Sequence, residues 1–247
     1  MSPDCTVLDW DTEFFGRRIG RINHRRLTPE RVQAIVEWSR AHDLECLYFL
    51  TDPDDLTTVR LAEENGFRLV DIRMTFQHSG HPSATAEADF EIRPFQEPDL
   101  ARLRAIARHS YTMTRFYVDP GFAKERCSAL YETWIAKSCD GWADAVLVAD
   151  TESTLANHGP MGFVTCHLNA QEGSIGLIGV AQRARGRGVA ARLVDQAVEW
   201  LRERNAEHIE VVTQGRNVAA QRLYQRCGFR TYRVELSYHL WPDQNGL

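Results

Sequence analysis

The 247-residue sequence lacks three features that would place a protein in a specialised class. No apolar run approaches the roughly 20 residues that cross a membrane, and a net charge of −5 gives no basic excess of the kind that nucleic-acid binding needs. No two cysteines form a CxxC pair, because the six lie scattered at positions 5, 46, 127, 139, 166 and 227. These absences argue against a membrane protein, a nucleic-acid-binding protein, a zinc site and a disulfide scaffold.

The first residues, Met-Ser-Pro-Asp-Cys-Thr, show neither a basic segment nor an apolar run. No signal peptide is therefore predicted, and a reducing, cytoplasmic setting is expected. The hydrophobic content of 43% suffices for an ordinary globular core.

The length predicts one large or two small domains. A polar stretch rich in small residues, interrupted by Pro82, is typical of a linker. We therefore predict an N-terminal domain over 1–80, a linker over 81–89 and a second domain over 90–247.

The two parts share a pattern at an offset of 162 positions, without a gap. Val36-Glu37-Trp38 recurs as Val198-Glu199-Trp200, and Gly66-Phe67-Arg68 recurs as Gly228-Phe229-Arg230. Each copy predicts a helix, a strand, a loop, a short helix, a Gly-Phe turn and a strand, so we interpret the copies as two related α/β units.

Only the second copy is preceded by a basic, glycine-rich turn, which follows the apolar strand Ser174–Val180 and precedes a helix that starts at Val189. A strand, a glycine-rich turn and a helix N-terminus together form a phosphate cradle. The turn lacks the Lys-Ser/Thr of a nucleotide-triphosphate loop, and it lies too late in the chain to begin a doubly wound dinucleotide fold. An ordinary tight turn stays the alternative. The candidate anion ligands are Arg183, Arg185, Gly186, Arg187, Gly188, Val189 and Ala190.

The order of elements, with Arg183-x-x-Gly186-x-Gly188 and then Asn217, Tyr224 and Gly228-Phe229, resembles the GNAT acetyltransferase superfamily over residues 90–240. The resemblance implies an α/β fold in which helices flank a mixed central sheet, with the N-terminal domain as a degenerate half-copy. It also implies acetyl-CoA as the cosubstrate, with no metal.

The same resemblance implies roles for individual residues. The strand that contains Ile178, Gly179 and Val180 would offer backbone groups to the pantetheine arm, Asn217 would contact the cofactor, and Tyr224 would be the general acid. Two alternatives stay open, since Asn217 could be only a helix N-cap and Tyr224 only a buried aromatic.

A narrower similarity is to two-domain members of the family that acetylate the 4-amino group of a dTDP-4-amino-4,6-dideoxygalactose, and it implies a dTDP-amino sugar as the acceptor. The aromatic loop Thr114–Phe122 is the candidate acceptor wall, with Arg115 near phosphate and Phe116 or Tyr117 stacking. Packing of this loop onto the core is the alternative. Other open interpretations are a peptide or small-molecule amine as acceptor, a non-catalytic acetyl-CoA-binding module, a scaffold and a homodimer. The general base is unresolved among Asp9, Asp11, Glu13, His109, Asp119 and Glu172.

Overall fold

The computed structural model describes residues 4–80, 89–151 and 159–242, so residues 81–88 of the predicted linker lie outside the described part. The strands are β1 Cys5–Val7, β2 Ile19–Ile22, β3 Cys46–Thr51, β4 Arg68–His78, β5 Glu91–Pro94, β6 Ala145–Asp150, β7 Gly162–Asn169, β8 Glu172–Val180, β9 His208–Gln214 and β10 Phe229–Leu240. The helices are α1 Asp9–Phe15, α2 Pro29–Ala41, α3 Leu56–Glu64, α4 Leu100–Ser110, α5 Arg115–Val118, α6 Lys124–Lys137, α7 Val189–Arg202 and α8 Val218–Arg226.

These strands form one mixed sheet with helices packed against it, as expected of the α/β class. The strand order is β1-β2-β3-β10-β4-β9-β8-β7-β6-β5, in which β2–β3 and β8–β9 are parallel pairs and the other pairs are antiparallel. Helix α7 shows why such packing forms, because Val189, Leu193, Ala197 and Leu201 make a buried stripe along one side of it.

The 162-residue offset carries over to the structure. Helix α8 begins and ends 162 positions after helix α3. Strand β10 likewise ends 162 positions after β4, and it begins one residue earlier than that offset predicts. The predicted order of elements is therefore present in both units.

The two units exchange their last strands, which the sequence did not predict. Strand β10 lies between β3 and β4, and β4 lies between β10 and β9. At the centre of the β4–β10 pairing, Arg73 lies opposite Glu235, the residue 162 positions later. Equivalent residues facing each other across antiparallel strands indicate a local two-fold relation between the units.

A few bounds differ from the sequence-based expectations. The strand predicted over Ser174–Val180 begins two residues earlier, at Glu172. The aromatic loop contains the single helical turn α5. The candidates Arg115, Phe116 and Tyr117 therefore lie on a short helix rather than in an irregular loop.

Candidate active site

The glycine-rich turn has a backbone that requires glycine. Gly186 and Gly188 have φ angles of +78° and +80°, a region that side-chain-bearing residues rarely adopt. A Cβ built on either glycine would meet no heavy atom within 4 Å. The glycines are thus needed for conformation rather than for close packing, and the space over the turn is open to a ligand.

Helix α7 begins directly at this turn without a side-chain cap. Its N-cap is Gly188, which has no side chain to accept a hydrogen bond from the first helical turn. The equivalent helix α2 differs, because the Thr28 hydroxyl accepts a hydrogen bond from the Arg31 N–H at 3.3 Å. The N–H groups and the positive dipole end of α7 are therefore left for an anion.

The three arginines of the turn are exposed. Arg187 pairs with Asp89 at 2.6 Å, and the Arg185 Nε lies 3.4 Å from the Val180 carbonyl oxygen. Exposed pairs of this kind contribute little to stability, so Arg187 is able to exchange its carboxylate for a phosphate.

Strand β8 separates from β9 just before the turn. Their parallel pairing ends at Ile175–Val211, while β8 continues beside β7 as far as Val180. On the β9 side, the edge of β8 at Ile178, Gly179 and Val180 is consequently not paired with β9 or with another strand of the described residues. Tyr111 reaches this edge, since its hydroxyl donates to the Ile178 carbonyl at 2.8 Å.

Tyr224 lies on α8 with its ring buried, at 3% exposure. The ring packs between Phe76 and Phe229, with each centroid 6.0 Å away. Burial raises the pKa of Tyr224 above its usual value, so the phenol stays protonated at neutral pH. Among the described residues no hydrogen-bond partner of its hydroxyl is found, which leaves the proton available to a ligand.

Asn217 is the N-cap of α8, which was one of the two roles expected for it. Its Oδ1 accepts a hydrogen bond from the Ala220 N–H at 3.2 Å. In the N-terminal unit Asp55 caps α3 in the same way, at 3.1 Å from the Thr58 N–H. Capping is therefore common to both units, and contact with a cofactor would be an additional role of Asn217.

The aromatic loop packs onto the core, which corrects the stacking role expected for Phe116. Phe116 is 3% exposed and packs against Phe15 and Phe122. The Tyr117 hydroxyl is hydrogen-bonded to Ser128. The Phe116 ring is therefore not available to stack on a ligand, whereas Tyr117 is half-buried and is held through its hydroxyl.

Arg115, in the same loop, has a side chain whose charge is not neutralised by a neighbouring carboxylate within the described residues. Its guanidinium lies over the rings of Tyr48 and Phe116, at 4.6 and 4.7 Å from their centroids. Its Nε is buried without a hydrogen-bond partner, and no carboxylate among the described residues forms an ion pair with it. Such a guanidinium is able to bind an anionic group.

Asp71 is the carboxylate that sequence reasoning missed. It lies buried on β4, the exchanged strand, with the Arg216 Nε 3.9 Å from its Oδ1. Burial raises the pKa of Asp71 to about 6, although Arg216 and Arg115 oppose the shift. A carboxyl that titrates near neutral pH suits proton transfer. The signal in the sequence that could have indicated Asp71 is a single carboxylate between two apolar residues, Val70 and Ile72.

Comparisons with known proteins agree with this geometry. The model of the acetyltransferase (GNAT) family matches residues 115–229, which hold the cradle, Asn217 and Tyr224. The chain contains a GNAT acetyltransferase domain.

Two curated proteins similar to this chain have names that refer to an amino sugar or a polysaccharide. The dTDP-fucosamine acetyltransferase of Escherichia coli is 27% identical over 90% of this chain and 91% of its own length. The spore coat polysaccharide biosynthesis protein SpsD of Bacillus subtilis is 26% identical over 63% of this chain, but the match spans only 52% of that protein.

A solved structure shares the fold. The GCN5-related N-acetyltransferase from Sphaerobacter thermophilus superposes with a TM-score of 0.65 at 18% identity, covering 95% of this chain and 75% of that one. At this identity the likeness concerns the fold alone.

Among the other base candidates of the acetyltransferase, Asp119 has a structural role. Its carboxylate accepts hydrogen bonds from His239 Nδ1 at 2.6 Å, from Trp241 Nε1 at 2.9 Å and from the Gly121 N–H at 2.8 Å. Burial opposes ionisation, but these bonds hold the pKa of Asp119 below its usual value. Burial also lowers the pKa of His239 to about 4, so the imidazole is neutral.

The remaining candidates are less suited to proton transfer at β8. Asp9, Glu13, His109 and Glu172 are exposed, and Glu172 lies at the β7–β8 hairpin, away from the cradle. Asp11 is half-buried, and burial raises its pKa against the attraction of Arg115.

The part of the chain that the structure describes holds no group of three or more His, Cys, Asp or Glu residues suited to a metal ion. Within the same residues, no helix is long and apolar enough to span a bilayer.

Proposed function

We propose that this protein transfers the acetyl group of acetyl-CoA to the 4-amino group of a dTDP-linked amino sugar, of the dTDP-4-amino-4,6-dideoxygalactose type. One observation carries the proposal. The uncapped glycine turn, the open edge of β8 and the unpartnered Tyr224 hydroxyl occur together in one unit, whereas in the other unit Thr28 caps the equivalent helix and Ala62 occupies the position of Tyr224.

The residues present fit acetyl-CoA. The N–H groups of Gly188, Val189 and Ala190 would hold the pyrophosphate, with Arg183, Arg185 and Arg187 around it and Gly186 leaving room. The backbone of Ile178, Gly179 and Val180 would bind the pantetheine arm, with Asn217 as a further contact. Acetyl-CoA supplies the acetyl thioester.

Tyr224 serves as the general acid. When the new N–C bond forms and the C–S bond breaks, the departing sulfur takes one proton from the phenol, which regains it from solvent. A phenol suits this task because its usual pKa of about 10 is comparable to that of a thiol. Burial keeps the phenol protonated until transfer, although the raised pKa also makes Tyr224 a weaker acid than a phenol in water.

Asp71 serves as the general base and takes one proton from the attacking amine. Its pKa of about 6 leaves the carboxylate mostly ionised at neutral pH. In this position it would also attract a positively charged amine, since opposite charges attract strongly in partly buried sites. Such an amine first releases one proton to solvent, and its neutral form then attacks and gives the second proton to Asp71. The two protein groups thus handle one proton each.

The acceptor class rests on two supports. A protein similar over nine-tenths of this chain is named for a dTDP-amino sugar. Arg115 and Arg216 lie close enough to Asp71 to act on its charge, so the site combines a carboxylate for an amine with cations for phosphate.

The test is an acetylation screen in which CoA release is measured with dTDP-4-amino sugars, free amino sugars, peptides and polyamines. The proposal predicts the highest kcat/KM for a dTDP-4-amino sugar. Turnover confined to peptides or polyamines would refute the acceptor class, and CoA binding without turnover of any amine would refute catalysis.

A further inference from the structure

A cleft of about 440 Å³ lies apart from the glycine turn and is lined by Trp10, Trp134, Lys137, Asp140 and Trp142. We call it the tryptophan cleft. It holds three of the six tryptophans of the sequence. Trp10 comes from α1 of the N-terminal unit and the other lining residues from α6 and the turn after it, so both units build the cleft.

Trp142 offers an aromatic face to solvent. It is 58% exposed and contacts His167 edge to face, at 5.6 Å between centroids. It follows Gly141, whose φ of +92° turns the chain after α6. An indole held outward by a turn that needs glycine is unusual for packing and suits ligand stacking.

Trp10 is a fixed wall of the cleft rather than a free face. Phe14 stacks on it at 5.0 Å with an interplanar angle of 12°, and the Lys137 Nζ lies 4.4 Å from its ring centroid. Lys137 and Asp140 are both exposed at the cleft. The cleft therefore presents one ammonium donor and one carboxylate acceptor beside an indole face.

Aromatic side chains connect the cleft to the open edge of β8. Tyr111, which donates to the Ile178 carbonyl, stacks on Tyr131 at 4.2 Å. Tyr131 contacts Trp134 at 5.3 Å, and Trp134 contacts Trp10 at 6.4 Å.

A second connection runs through the imidazole that Trp142 contacts. A Cβ built on Gly176 of β8 would lie 2.5 Å from the His167 Nε2, so this ring lies directly on β8. The cleft thus adjoins the strand beside which the proposed reaction takes place.

We infer that the tryptophan cleft binds the base of the nucleotide-linked acceptor, and that the base is a pyrimidine with an imide edge, such as thymine or uracil. Trp142 stacks on the ring, Asp140 accepts the imide N–H and Lys137 donates to a flanking carbonyl. This inference rests on the proposed function. It also fills the role that Phe116 cannot perform, because that ring is buried in the core.

The experiment is a calorimetric titration of dTDP into the full chain, with CoA saturating so that dTDP cannot occupy the cradle. Trp142→Ala is expected to weaken dTDP binding about tenfold, the usual effect of losing one base-stacking aromatic. Tyr232→Ala is the matched control, since Tyr232 is equally exposed at 58% but lies on β10 outside the cleft. Trp142→Phe should retain most of the affinity.

Three results would overturn the inference. The first is a wild-type chain that fails to bind dTDP, and the second is a Trp142→Ala variant that binds dTDP as tightly as the wild type does. In the third result Trp142→Ala loses affinity for a free amino sugar and not for dTDP, which would make the cleft a carbohydrate site. Measurements of turnover distinguish a failure of the cleft assignment from a failure of the proposed function. If a dTDP-amino sugar is acetylated with the same KM by wild type and Trp142→Ala, the cleft assignment fails and the function stands. If no amino sugar is acetylated, the function fails, whatever dTDP does.

Discussion

Helices α3 and α8 begin alike, whereas helices α2 and α7 begin differently. Asp55 and Asn217, 162 positions apart, both cap their helices through a side-chain oxygen. Helix α2 of the N-terminal unit starts at a Thr28 cap, whereas its equivalent α7 starts at an uncapped glycine turn. The shared caps stabilise the repeated fold, and the missing cap marks the unit that is built to bind an anion.

The same contrast holds at the second helix. Ala62 and Tyr224 occupy equivalent positions and both are buried. Because the fold accepts a methyl group at this position, the phenol is not there merely to fill it. Differences between repeated units thus separate the groups that serve function from those that serve folding.

The exchanged strands qualify this contrast, because the N-terminal unit also builds part of the site. Strand β4 brings Phe76 against Tyr224 and Asp71 beside Arg216. On the other side of the pairing, Glu235 is buried and ion-paired with Arg25 and Arg73, across the two units. The unit without a cradle thus supplies a wall and the proposed base.

The largest expected effect tests the Ala62–Tyr224 difference. Tyr224→Phe should lower kcat by about 10²- to 10⁴-fold, the usual contribution of positioned proton transfer, while acetyl-CoA affinity changes little. Steady-state kinetics and a cofactor titration measure the two quantities. Tyr238→Phe is the control, since Tyr238 is another buried tyrosine and lies in the core of the N-terminal unit. Unchanged turnover in Tyr224→Phe would remove it as the acid.

A second prediction concerns the carboxylate on the exchanged strand. A base must be ionised, so wild-type kcat/KM should fall as the pH drops below about 6, the pKa of Asp71. Asp71→Asn should lower kcat/KM by about tenfold or more and abolish that inflection. Asp11→Asn, which alters another carboxyl near Arg115, should keep it. An inflection that survives in Asp71→Asn would assign the base elsewhere.

The smallest expected effect compares the two matched caps. Asp55→Ala and Asn217→Ala should each cost about 1 kcal/mol of folding stability, seen as a drop of about 2–4 °C in Tm. Only Asn217→Ala should also weaken acetyl-CoA binding. If both variants leave that affinity unchanged, Asn217 is a cap and nothing more.

Local spacing was enough to predict the glycine turn, the cap at Asn217 and the order of elements, because each depends on residues close in the chain. The exchange of β4 and β10 was not predictable in this way, since it joins segments about 160 residues apart. Asp71 was missed for a similar reason, because its neighbour Arg216 follows β9, a strand distant in sequence that pairs with β4. Phe116 and Tyr117 were assigned to stacking because composition alone does not distinguish a core aromatic from an exposed one.

The most direct measurement is a calorimetric titration of acetyl-CoA that gives the number of sites per chain. We expect one site, greatly weakened in Gly188→Val, because a β-branched residue cannot readily adopt a φ of +80°. Arg26→Ala, at the position 162 residues earlier, should bind like the wild type, and circular dichroism checks that both variants fold. Two sites per chain, or full affinity in a folded Gly188→Val variant, would contradict the account.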